Sequence, residues 1–188
     1  MARKVTPVPK GYRTANPVLI VRGADAALSY YETVFGAEVI SRDYAQDGMT
    51  ILQAEMKIGN TILRVADEMP EFGVFSPTSL GGSPVIIQLY LSEVDEFWTR
   101  VVDSGAQVVV PLADTYWGER FGRFVDPFGH VWNIAKRTEM LTPGEIAERA
   151  TATATVSVQE PQADLQSPGL AHDESPRSES EPAHSVAQ

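Results

Sequence analysis

The chain has 188 residues, 43% of them hydrophobic, a formal net charge of −10 and no cysteine. That length supports one good hydrophobic core, and the missing thiols exclude disulfides, thiolate nucleophiles and thiolate metal sites together. Phosphate binding needs clustered Lys and Arg, so the acidity argues against nucleic acid as a partner.

Residues 1–11, MARKVTPVPKG, form an N-terminal extension in which Arg3 and Lys4 have no apolar run behind them. No stretch of the chain approaches the length of a membrane span, so the expected location is cytoplasmic and no membrane partner is expected. After Gly11, Thr14–Val21 is extended and β-branched, and Ala24–Phe35 places Ala27, Leu28, Tyr31, Val34 and Phe35 at helical spacing. Gly36 fits a helix C-terminal cap before a strand over Ala37–Tyr44. Asp47-Gly48 and Gly59-Asn60 are hairpin signals around strands at Thr50–Ile58 and Thr61–Ala66. Residues 68–83 are acidic, rich in Pro and Gly and without a period, and read as a connector.

A second series follows. Val85–Leu91 reads as a strand and Val94–Asp103 as a helix with Val94, Phe97, Trp98 and Val101 on one face, stopped by Gly105. Gln107–Pro111 extends, Asp114–Glu119 is a loop, Arg120–Val125 a strand, Asp126-Pro-Phe-Gly129 a turn and His130–Lys136 the last strand. Thr142-Pro143 opens a short helix to Ala150 within 139–150. From Thr151 to Gln188 there is no aromatic residue, and six acids (Glu160, Asp164, Asp173, Glu174, Glu179, Glu181) stand against Arg177. Such a segment buries too little surface to offset its ordering entropy, so 151–188 is expected to be a disordered acidic tail that carries half of the formal charge.

The two series are one pattern written twice. Residues 18–39, VLIVRGADAALSYYETVFGAEV, and 87–108, IQLYLSEVDEFWTRVVDSGAQV, share strand, polar break, amphipathic helix, Gly-Ala and strand. Two copies are too few for a solenoid, so each is half of a pseudo-symmetric domain. This β-α-β-β-β order taken twice, with DPFGHVWNIA at the second hairpin, resembles the vicinal oxygen chelate superfamily of glyoxalases, bleomycin-resistance proteins and extradiol dioxygenases. YYETVFGAEV, ADEMPEFG, LGGSPV and DPFGHVW are similar to its PhnB-like branch. The resemblance implies an α+β fold over residues 12–138, with tandem βαβββ modules at 12–67 and 84–138 forming cupped mixed sheets. It also implies a homodimer and, where a metal is present, ligands from the first and last strands of each module.

Strand alternation then fixes the inward positions. Asn16, Val18 and Ile20 share one face, as do Ile86, Gln88 and Tyr90, then Ile62, Arg64 and Ala66, then Val131, Asn133 and Ala135. The positions at which superfamily members carry metal ligands fall on Asn16, Arg64, Ile86 and Asn133. A catalytic divalent site wants about three imidazole or carboxylate ligands, and Ile86 and Arg64 supply none, so no metal and no other cofactor is expected. His172 and His184 lie in the tail, and His130 points away from Asn133 as a structural turn residue.

The candidate ligand-binding residues are therefore Asn16, Arg64, Gln88, Tyr90, Tyr116, Trp117, Arg120 and Asn133. Arg64 reads either as an anchor for an anionic group or as a salt-bridge partner of Glu55. Asn16, Gln88 and Asn133 either orient a ligand or satisfy one another. Tyr116 and Trp117 beside Gly118 suit a pocket rim, and Trp117 reads equally as packed beneath its own loop. Glu119 is a weak candidate for a general base beside its reading as a surface pair with Arg120 or Arg123. The resulting expectation is a small-molecule-binding, sequestering module without metal. The alternatives are a metal-dependent lyase, isomerase or dioxygenase of the glyoxalase type, and a regulatory dimer scaffold.

Overall fold

The structure, a computed structural model, describes residues 5–155. The expected tail lies outside the described residues beyond Thr155. Eight strands form two four-stranded mixed sheets, one from each repeat. The first holds β1 (Val18–Val21), β2 (Glu38–Tyr44), β3 (Ile51–Ile58) and β4 (Thr61–Asp67), in the order β1-β4-β3-β2. The second holds β5 (Ile86–Tyr90), β6 (Gln107–Asp114), β7 (Glu119–Val125) and β8 (Val131–Arg137), in the matching order β5-β8-β7-β6. β1 runs parallel to β4 and β5 to β8, and the remaining pairs are antiparallel. The tandem βαβββ fold expected from the sequence is the fold observed.

Helix α1 (Ala24–Tyr30) continues into a wider π-helical turn at Tyr31–Phe35, and Gly36 closes it at φ 65°. Asp67, at the end of β4, accepts from Gly23 N and Ala24 N at 3.0 and 2.8 Å and from Ile51 N at 2.8 Å. One carboxylate thus holds the helix start, where it also complements the helix dipole, and the neighbouring strand. Helix α3 (Val94–Asp103) buries Val94, Phe97 and Val101.

The two repeats share one core. The rings of Phe35 and Trp132 lie 4.8 Å apart, those of Phe35 and Phe97 5.2 Å, and Tyr31 stands edge-on to Trp132. Asp126, buried in the DPFG turn, accepts from Tyr31 Oη at 2.7 Å, from Trp132 Nε1 at 2.8 Å and from the amides of Phe128 and His130. His130 Nε2 bonds the Ile20 carbonyl of β1 at 3.1 Å. The turn signature therefore couples the second repeat to the first.

Several boundaries differ from expectation, each for a local reason. β1 starts at Val18 because residues 13–16 close a turn of their own, with Arg13 N donating to Asn16 Oδ1 at 3.0 Å. β6 continues through Pro111 to Asp114, which a strand at the sheet edge tolerates because proline lacks only a donor. The connector contains a turn at Pro70–Phe72 and a short helix, α2 (Pro77–Leu80). The last helix, α4 (Pro143–Thr155), runs five residues past Ala150; it opens on a reciprocal Thr142–Glu145 capping box.

Candidate functional site

Alternation divides each sheet into a face packed on the helices and an open one. On β5, Ile87 and Leu89 pack against the core, whereas Ile86 and Tyr90 are 44% and 66% exposed. On β8, Trp132 and Ile134 are buried in the core, and Asn133 faces the other way, half-buried. Register then builds the open face of the second sheet row by row. Gln88, Asn133 and Arg123 lie side by side on β5, β8 and β7; Tyr90, Ala135 and Phe121 form the next row; Arg137 and Glu119 form the last.

Glu119 is the centre of the polar structure on this face. Its Oε1 accepts from Tyr90 Oη at 2.9 Å and its Oε2 from Trp117 Nε1 at 2.9 Å. The Trp117 ring meets Tyr116 at 4.9 Å and Phe121 at 5.8 Å, both edge-on. Donation to the carboxylate holds the Tyr90 hydroxyl above the usual phenol range, because ionising it would set two anions side by side. Tyr90, Leu91, Ser92, Glu119, Ala135, Lys136 and Arg137 line a hollow of about 650 Å³ here, within the range that small ligands occupy.

The turn carrying Tyr116 and Trp117 is held from two sides. Thr115 N and Oγ1 donate to the Glu119 carbonyl, while the amides of Thr138 and Glu139 donate to the Gly118 carbonyl. Gly118, at φ 82°, has Glu139 Cβ and Leu141 Cδ1 each 3.1 Å from where a Cβ would stand. Glu119 was expected in a loop, but the longer β6 and β7 put it on a strand, which fixes its direction.

Four other sequence candidates land differently. Arg120 is turned to the helix side, where Nε donates to Asp95 of α3 at 2.8 Å and Nη1 lies 3.3 Å from Asp114. Its expected place among the ligand-binding residues is thereby corrected, since β7 alternation opposes it to Glu119. Arg64 stands on the open face of the first sheet, 3.7 Å from Glu55 and with its guanidinium 5.4 Å from the centre of the Tyr12 ring. Its charge is already matched. Asn16 spends both amide atoms on Arg13, so it joins no network with Gln88 and Asn133. Asn133 Oδ1 instead accepts from Arg123 Nε at 2.8 Å.

Phe121 was not singled out from sequence, and Arg123 was read there only as a possible surface partner of Glu119, not as a ligand-binding residue. Counting back from Asn133 through the DPFG turn would have paired Arg123 with it. His130 is the structural residue that alternation implied. Burial lowers its pKa, so the neutral ring serves as donor to the Ile20 carbonyl.

A second hollow of about 590 Å³ runs between β1 and β5 and is bounded by the connector, with Val18, Ile20, Phe75, Leu80, Val85 and Ile86 among its lining residues. Its walls are mostly apolar. Among the described residues no group of three or more His, Cys, Asp or Glu side chains converges as a metal-binding set.

Two βαβββ repeats with equivalent strand orders, and open faces equipped with different side chains, define a protein of paired glyoxalase-type modules. The chain belongs to the Glyoxalase/Bleomycin resistance protein/Dioxygenase superfamily, whose pattern it matches over residues 13–134. It is 34% identical to the Mycobacterium tuberculosis (strain H37Rv) protein Rv0887c over 134 residues, 70% of this chain and 78% of that one. Among solved structures it resembles TioX from Micromonospora sp. ML1, with 27% identity, a TM-score of 0.52, and coverage of 65% of this chain and 98% of that one. The PhnB protein from Bacillus cereus shares the fold at 18% identity and a TM-score of 0.50, over 66% of this chain and 99% of that one.

Proposed function

We propose that the protein is a metal-independent binding module that holds a small, partly aromatic molecule on the open face of its second sheet. The carrying observation is the Glu119 carboxylate, gripped by Tyr90 and Trp117 beside Phe121. Neutral donors orient it, and aromatic faces flank it, which is an arrangement suited to recognising a ligand rather than to moving protons.

The donor chemistry supports the same reading. Ile86 has no donor atom, Arg64 is a cation paired with Glu55, and Asn16 and Asn133 have their amide oxygens engaged by Arg13 and Arg123. These residues do not fit a divalent metal of the glyoxalase kind. The likeness to PhnB, together with the YYETVFGAEV and DPFGHVW segments, supports placement near the PhnB-like branch. Exposed Val18, Ile86 and Tyr90 on the open faces support a homodimer that covers them.

The test is a thermal-shift and Trp-fluorescence screen of aromatic antibiotics and small carboxylates, run on protein stripped of metal and again with added divalent ions. Ligands that bind equally in both conditions, and lose about tenfold or more on Trp117→Ala, are the expected result. Stoichiometric metal retained by purified protein and required for binding would overturn the reading.

A further inference from the structure

On the open face of the second sheet Arg123 and Glu119 form no ion pair within 4 Å among the described residues, and neither does Arg137, the cross-strand neighbour of Glu119. Most arginines that face a carboxylate are paired with it: Arg22 with Glu68, Arg42 with Asp25, Arg64 with Glu55, Arg120 with Asp95. Arg123, like Arg13, Arg100 and Arg137, forms no ion pair among the described residues. Its Nε donates to Asn133 Oδ1, and among the described residues its two Nη groups have no partner and it faces no carboxylate within ion-pair distance. Gln88, next in the same row, has no hydrogen bond from its amide among the described residues. That row therefore offers a planar cation and an amide with unused donors, the equipment that receives a carboxylate in bidentate fashion.

Two rows along the same face stands Glu119, whose carboxylate, among the described residues, is hydrogen-bonded by the neutral Tyr90 and Trp117. Arg137, its cross-strand neighbour on β8, lines the same hollow but is exposed and forms no ion pair with it within 4 Å. Tyr90 and Trp117 fix the carboxylate while leaving its charge in place, and the rings beside it favour a cation on both electrostatic and quadrupolar grounds. Between the rows lie Phe121 and Ala135, an apolar floor. Glu119 and Arg123 are four residues apart on one strand, so the two ends are separated by about 13 Å.

We propose that the ligand of this face is an elongated dipolar molecule. Its ammonium or comparable cationic group sits at Glu119, an aromatic or apolar middle lies over Phe121, and its carboxylate meets Arg123, Asn133 and Gln88. This rests on the second sheet being the binding face, as set out above. An extended tetrapeptide with free ends spans about the required length, at 3.3 to 3.6 Å per residue, so Gly-Phe-Phe-Gly is a suitable probe.

Full-length protein is titrated calorimetrically with four forms of that peptide: free-ended, C-terminal amide, N-acetyl, and both blocked. The free-ended form is expected to bind best, and blocking either end to weaken it about ten- to a hundredfold. Arg123→Gln should cost as much for the free acid and nothing for the amide; Glu119→Gln should do the same for the free amine against the N-acetyl form. Circular dichroism checks that both variants are folded. Equal binding of all four forms, or variants that do not distinguish them, overturns the dipolar ligand and leaves the binding face intact. No heat from any form, with screening ligands also indifferent to Trp117→Ala, overturns both.

Discussion

Asp126 looks like the first residue of an ordinary turn, yet it is buried and accepts four hydrogen bonds, two of them from the largest polar rings of the core. Asp126→Asn turns an amide toward groups that are all donors. We expect a loss of about 2 to 3 kcal/mol in urea unfolding; an unchanged midpoint would show that the network is dispensable. His130 gives a pH signature. Its pKa is lowered in the folded state by burial, so the unfolded chain takes up the proton first as pH falls through about 6.5. Its stabilisation is therefore complete above that pH and drains away below it. His130→Gln should cost about 1 to 2 kcal/mol at pH 7.5, and the gap from the parent protein should narrow by pH 5. A constant gap would refute the assignment.

Among the elements, the connector is held most specifically. Glu68 accepts from Ser76 N and Oγ, Ser79 Oγ and Arg22 Nε, and these bonds, the hydroxyl of Ser76 foremost, lower its pKa to about 2. The clasp therefore survives mild acid: the stability it adds is present above about 4.5 and lost only as pH falls toward about 2. Glu68→Gln should expose residues 70–82 to limited proteolysis at neutral pH, and a cleavage rate equal to the parent's would count against the clasp. On β7, a methyl at Gly122 would stand 2.9 Å from Trp98 and 3.3 Å from the Leu112 backbone. Gly122→Ala is expected to cost about 1 to 3 kcal/mol by overpacking, measured as a lower melting temperature. Periodicity made most elements legible, because strands buried on one face alternate and helices do not. It left Glu119 in a loop over Asp114–Glu119, whereas β6 runs past Pro111 to Asp114, as an edge position permits, and β7 starts at Glu119 itself. Arg123 escaped as a ligand-binding candidate for a related reason: its neighbour in space is ten residues away across a turn.

At the scale of the molecule, sequence repetition revealed two modules but not their dependence on each other. Tyr31 and Phe35 of the first repeat pack on Phe97, Phe124 and Trp132 of the second. A fragment of residues 1–83 should therefore lack a cooperative thermal transition by circular dichroism, and one as sharp as the full chain's would show that the modules fold alone. The bond from His130 to Ile20 reaches further than stability. β1 lies at the margin of its sheet with β4 on one side only, and on its other flank the Ile20 carbonyl is already occupied by the imidazole. A margin with unmet carbonyls is a template on which stray chains add strands and seed fibrils. By closing this acceptor with a residue from the other repeat, the fold discourages edgewise recruitment there, and association between copies is steered to faces rather than margins.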